Sequence, residues 1–149
     1  MNSHGFTLLE LLVVLVIIGV ISAIATPIAM RTFGHADTRI VANELAAALR
    51  RARGFAVAGN EEKTLTMNVT SGHYWLDRTD SHQVPRDIHV GLFTAQAEQI
   101  EPDIGNVRFY PDGSSTGGEI TLSDPRSRYH VQIDWLTGRV SVLETENTP

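Results

Sequence analysis

The sequence predicts an α+β fold. A long N-terminal helix, transmembrane in its first half and amphipathic in its second, packs on an antiparallel β-sandwich. Three observations predict it. From Phe6 to Met30 the chain is apolar, with Glu10 as its single charged side chain. From Asp37 onward apolar residues recur at three- and four-residue spacing, the period of one helix face. After Gly59 the period falls to two, as in strands with one buried side.

The first element, Phe6–Met30, would be roughly 37 Å long at ~1.5 Å per residue, enough to span a bilayer. Leu11–Ile18 is apolar on every face, so lipid or neighbouring helices must cover it. Gly19, Ser22 and Pro27 interrupt it. Glycine weakens a helix by about 1 kcal/mol against alanine and proline removes a donor, which makes Gly19 and Pro27 candidate points of flexibility. A carboxylate inside a spanning segment costs roughly 2.5–3.5 kcal/mol, so Glu10 is a functional candidate. The polar stretch Met1–Gly5 lies before the apolar run. A secretory signal peptide instead has a basic start and a cleavage site after its apolar core.

In the second element Val41, Leu45, Ala48, Leu49, Ala52, Phe55 and Ala56 form the apolar face, expected to pack on the domain that follows. Asp37 lies near the start, and Arg50, Arg51 and Arg53 gather near the end; both placements favour the helix dipole. The arginines read as a solvated helix end, with Gly54 and Gly59 as stop signals.

Thr64–Val69 and His73–Arg78, joined by Thr70-Ser71-Gly72, read as a hairpin. Asp87–Phe93 and Asn106–Tyr110 are further strands, and the acidic stretch Thr94–Gly105 between them reads as a long loop or irregular edge. Glu119–Leu122, Tyr129–Trp135 and Arg139–Leu143 complete seven predicted strands. Trp75 and Trp135 are expected in the core.

The 149-residue chain carries 17 acidic and 12 basic residues, a formal charge of −5, which argues against an extended nucleic-acid footprint. It has no cysteine, hence no disulfide or thiolate metal site. The histidines at 4, 35, 73, 82, 89 and 130 show no metal-binding i,i+4 pair, and His89 and His130 read as surface or core-edge residues. Asp77 and Asp80 flank a turn. Asp112–Gly118 lacks the lysine of a phosphate loop and reads as a structural turn. Ser114, Ser115 and Thr116 have no evident base partner, so no catalytic residue, cofactor or metal is expected and the chain is not expected to be an enzyme.

Gly5-Phe6-Thr7-Leu8-Leu9-Glu10, running into the apolar helix, resembles the class III signal of type IV pilins and pseudopilins. The resemblance implies a pilin-like fold, cleavage by prepilin peptidase after Gly5, N-methylation of Phe6 and a role for Glu10 in assembly. It divides the chain into a leader (1–5), a transmembrane half-helix (6–30), an amphipathic half-helix (31–58) and a periplasmic β-rich domain (59–149). The leader carries no Lys or Arg, so orientation in the inner membrane is implied by the resemblance and not by charge asymmetry. Phe109–Gly118 and Ile133–Val140 are similar to the glycine-rich motif and terminal hairpin of H-type minor pseudopilins of type II secretion, the GspH/FimT-like domain. That similarity gives Asp112, Gly113, Gly117, Gly118, Trp135 and Gly138 structural roles. The expected function is a minor pseudopilin near the tip of the pseudopilus that helps export folded proteins. Its implied partners are major and minor pseudopilins, the peptidase and the inner-membrane assembly platform, with secreted exoproteins as a further candidate. A minor pilin of a type IV pilus is the alternative, one that in DNA uptake would call for a basic surface. Here Glu144–Pro149 is an acidic tail.

Overall fold

The computed structural model describes residues 8–19, 37–77, 81–95 and 98–146. The chain divides into two compact units, Met1–His35 and Ala36–Pro149. In the first unit residues 8–19 form a helix, α1, and every described side chain in it is exposed. Among the described residues no helix is long and apolar enough to cross a membrane. Residues 6, 7 and 20–30 of the predicted span, Pro27 included, lie outside the described residues, as do Gly5 and the junction between the two half-helices.

Among the described residues the second unit contains helix α2 (Thr38–Gly59) and nine strands. Asp37 is the N-cap of α2, its carboxylate accepting the Arg39 N–H at 3.0 Å. The helix ends where Asn60 turns left-handed at φ 50° and returns its N–H to the Ala56 carbonyl. Gly54 does not stop the helix; it sits exposed within it, and burial of Ala52 and Ala56 on the opposite face outweighs glycine's weak helix preference. The predicted face is buried except for Phe55, which is 54% exposed. Ala42 and Ala46, fully buried, take the place assigned to Phe55 because the stripe turns toward the other flank. Small side chains on this face let the helix backbone lie close to the sheets.

The strands are β1 (Lys63–Asn68), β2 (His73–Leu76), β3 (His82–Gln83), β4 (His89–Phe93), β5 (Gln99–Glu101), β6 (Ile104–Phe109), β7 (Gly118–Ser123), β8 (Ser127–Ile133) and β9 (Val140–Glu146). They form two antiparallel sheets, ordered β3-β2-β1-β6-β5 and β4-β7-β8-β9. The predicted β1–β2 hairpin is present in the register Leu65↔Leu76 and Met67↔Tyr74. β3 and β5 were not expected as strands, being only two and three residues long. β5 pairs with β6 through a register shift, so the irregular edge expected within Thr94–Gly105 is there. At the other end β9 runs on to Glu146, pairing Glu144 with Tyr129. The acidic segment Glu144–Glu146 is therefore sheet, not tail; Tyr129 supplies it with a partner strand.

Helix and sheets share one core. Leu45, Leu49 and Ala52 of α2 cluster with Leu65 and Met67 of β1, Phe109 of β6, and Ile120, Leu122 and Val131 of the second sheet. Each fully buried leucine contributes about 1.5–3 kcal/mol. Buried Asn106 is satisfied by the Thr66 hydroxyl at 2.8 Å, and its carbonyl accepts from the Thr94 hydroxyl.

Candidate functional site

The residues singled out above fall in two places, one in each unit. In the first, Glu10 stands on the first described turn of α1 among Leu8, Leu9, Leu11 and Leu12, all more than half exposed. Gly19 closes the described part of this helix, and a Cβ there would meet nothing within 4 Å. The apolar surface runs right around α1, so covering it requires a medium or partner that surrounds the helix.

In the second unit the glycine-rich loop and the terminal hairpin are brought together by α2. The Arg53 Nε–H donates to the Gly113 and Thr137 carbonyls, each at 3.0 Å. Arg50 donates to the Val140 carbonyl at 3.0 Å. The arginines are thus neither a merely solvated helix end nor a binding patch: two of the three tie α2 to the chain's last third. Arg53 lies four residues after buried Leu49 and three before buried Ala56, inside the apolar stripe. A cation in such a stripe needs partners, and that spacing was the available signal.

The two turns that Arg53 joins use the same chemistry. The Asp112 carboxylate accepts the Ser114 hydroxyl at 2.6 Å and its N–H at 2.9 Å. The Asp134 carboxylate accepts the Thr137 hydroxyl and N–H, both at 2.7 Å. These bonds hold both carboxyls below the usual aspartate range. Gly138 adopts φ +61°, and a Cβ there would collide with the Gly113 carbonyl and stand 2.9 Å from Arg53 Nε. Only glycine fits where the two turns touch.

The loop has no vacancy for an anion. The N–H groups of Gly113 to Gly117 are taken in turn by the Tyr110 carbonyl, the Asp112 carboxylate, the Trp135 and Arg108 carbonyls, and the Ser115 hydroxyl. The structural-turn reading stands, and the loop is no phosphate cradle.

Trp135 departs from expectation. β8 ends at Ile133, and the Asp134 turn carries Trp135 and Leu136 outward to 66% and 63% exposure. The motif uses the backbone of Trp135, whose carbonyl accepts from Ser115, and leaves its ring at the surface. Trp75 is half-buried on β2. His89 is exposed on β4 and His130 half-buried on β8, where Nδ1 meets Glu119 Oε1 at 2.6 Å. Asp80 lies outside the described residues. Among the described residues no cluster of His, Asp or Glu could hold a metal ion.

Residues 41–138 match the family model described as Type II transport protein GspH. The chain belongs to the GspH family. It is a minor pseudopilin of type II secretion, a structural and non-enzymatic family with a pilin-like fold. Residues 1–26 match a second model, the prokaryotic N-terminal methylation motif. Among GspH relatives, the Type II secretion system protein H of Xanthomonas campestris pv. campestris is 27% identical over 137 residues, covering 92% of this chain and 81% of that one. The minor pseudopilin EpsH of the Vibrio cholerae type 2 secretion system superposes with a TM-score of 0.59 at 10% identity, over 72% of this chain and 97% of that one. The type IV minor pilin FimU of Pseudomonas aeruginosa gives 0.55 at 13% identity, over 70% and 87%. The fold is thus common to pseudopilins and minor pilins, and the match of residues 41–138 is what places the chain in the GspH family.

Proposed function

We propose that the chain is anchored in the bacterial inner membrane by a single N-terminal helix, residues 6–30. Its α2 and β-rich domain lies in the periplasm, where it joins the tip region of the pseudopilus and helps drive folded proteins across the outer membrane. Prepilin peptidase cuts after Gly5 and methylates Phe6. The observation that carries this reading is the methylation motif over residues 1–26 of a chain that matches GspH over 41–138, with Glu10 the only charge between Phe6 and Met30.

Cleavage gives Phe6 a free amine with a reference pKa near 8, cationic at neutral pH, and methylation keeps that charge. Glu10 then lies about 6 Å of helix rise from it and stays near the membrane interface in a lone subunit. Entering a bundle of apolar helices, the carboxylate is tolerated only with a partner. The amine of an axially displaced neighbouring pseudopilin supplies one, so the pair sets register while the apolar surface supplies cohesion. Gly19 and Pro27 let the helix extend as it docks. Exchange of Glu10→Ala should leave processing at Gly5 intact and reduce incorporation into pseudopili at least about tenfold, given the roughly 3–5 kcal/mol lost when one member of a buried pair is removed. Mass spectrometry of the N-terminus and immunoblotting of sheared pseudopili read the two steps separately; undiminished incorporation sinks the pairing.

A further inference from the structure

Among the described residues four strands stand at sheet edges, and three of them are blunted. β3 has two residues, β5 has three and a register shift, and β9 carries Glu144 and Glu146. β4 is different. It has five residues, His89-Val90-Gly91-Leu92-Phe93, without Asp, Glu, Lys, Arg or Pro, and it pairs on one side only, with β7. In an antiparallel ladder alternate residues point their N–H and C=O groups away from the partner, so this edge offers a template for another strand. Gly91 is exposed and puts no side chain in the way.

The surroundings of β4 fit an occupant. A cavity of about 830 Å³ opens beside its C-terminal end, lined by Leu92, Phe93, Ile104, Gly105 and Trp135. A second, of about 650 Å³, lies beside Ile88, His89 and Val90, and both are bounded by Val69. Phe93 is 79% exposed and Trp135 66%, although neither ring is used by the fold. Large aromatic side chains rimming a groove are the anchors that protein interfaces favour. Among the described residues the one ionisable side chain lining the larger cavity is Asp103, and exposed Glu101 stands two residues away.

We infer that the outer edge of β4 and the groove beside it bind an extended segment of a partner protein. That segment adds as a strand, sets the side chains of one face against Leu92 and those of the other against Phe93, passes Trp135 at the rim of the groove, and carries a Lys or Arg where it passes Asp103. The surface lies wholly in the Ala36–Pro149 unit and is independent of the assembly role proposed for Glu10.

The test uses the full chain in detergent and a short peptide in which valine and threonine alternate between terminal lysines. One control peptide is N-methylated at alternate valines, and another has glutamates for the lysines. Binding should saturate and slow amide exchange across His89–Phe93. In a Trp75→Phe background it should shift the emission of Trp135. N-methylation should abolish binding, because it removes the donors a strand needs. The glutamate peptide should bind at least about tenfold more weakly, and Asp103→Lys should reverse that preference. Exchange measured on the unmodified chain needs no substitution to fold. No saturable protection at β4, protection at β9 instead, equal binding of the N-methylated peptide, or equal binding of the glutamate peptide would each overturn the proposal.

Discussion

Two glycines with opposite expected responses separate conformational need from simple occurrence. Gly138 sits at φ +61° against the Gly113 carbonyl, whereas Gly54 is exposed within α2 with nothing inside 4 Å of a Cβ. Gly138→Ala should destabilise the domain by about 3 kcal/mol through strain and backbone collision. Gly54→Ala should stabilise it by about 1 kcal/mol. Urea midpoints of the two variants should move in opposite directions, and a shared direction contradicts the geometry. Asp124 gives a residue-scale pH response. Its carboxylate accepts the Thr38 hydroxyl from α2 as well as the Arg126 and Ser127 N–H groups, with Thr38 the main cause of a pKa below the usual range. A depressed carboxyl pKa contributes stability that is fully present above the unfolded value, near 3.9, and is lost as pH falls through the folded value. Stability measured from pH 7 down to 2 should therefore fall less steeply below about pH 4 in Asp124→Asn than in the unaltered chain. Identical slopes would refute a role for this carboxylate.

At the scale of elements, the decisive contact is α2 with the two turns. Arg53 reaches carbonyls 60 and 84 residues away, and its Nε–H is shared between the two. A lysine has a methylene where Nε stands and puts its ammonium one atom further out, so it cannot copy this. Arg53→Ala should cost about 2–3 kcal/mol, and Arg53→Lys should recover less than half of it. Amide exchange at Gly113 and Gly138 should quicken in both variants while β1 remains protected; unchanged exchange at the two turns would show that they hold without the helix. The α2 face itself was readable from spacing, because Val41, Leu45, Leu49, Ala52 and Ala56 repeat with the helix period. Phe55 was misplaced because an apolar residue on the stripe's edge has the right spacing and the wrong angle. β3 and β5 escaped notice because two or three residues hold too few alternations to define a period. Their strand character comes from β2 and β6 beside them.

At the scale of the whole molecule, the buried core of the described residues runs from Val41 to Val140, inside the Ala36–Pro149 unit. A fragment beginning at Ala36 should unfold cooperatively, at a urea midpoint matching that of the same domain in the full chain. A fragment with a lower midpoint or a broadened transition would mean that the first unit contributes to domain stability. The expected independence reflects two surroundings for one chain: α1 presents apolar surface on every side, while α2 buries one face and exposes another, where Arg39, Asn43, Glu44 and Arg51 stand beside Ile40, Phe55 and Val57.

What the sequence by itself determined is local in origin. The methylation motif over residues 1–26, the apolar stripe of α2, the β1–β2 hairpin and the family match over 41–138 all rest on residue order and short periods. The tertiary structure decided how the motifs are used. It turned Arg50 and Arg53 from a helix end into tethers and sent Trp135 to the surface by its backbone. It also closed the glycine-rich loop on its own N–H groups and left β4 as the open edge. Those outcomes depend on partners far away in the chain, and no pattern of neighbouring residues encodes which carbonyl a side chain will meet.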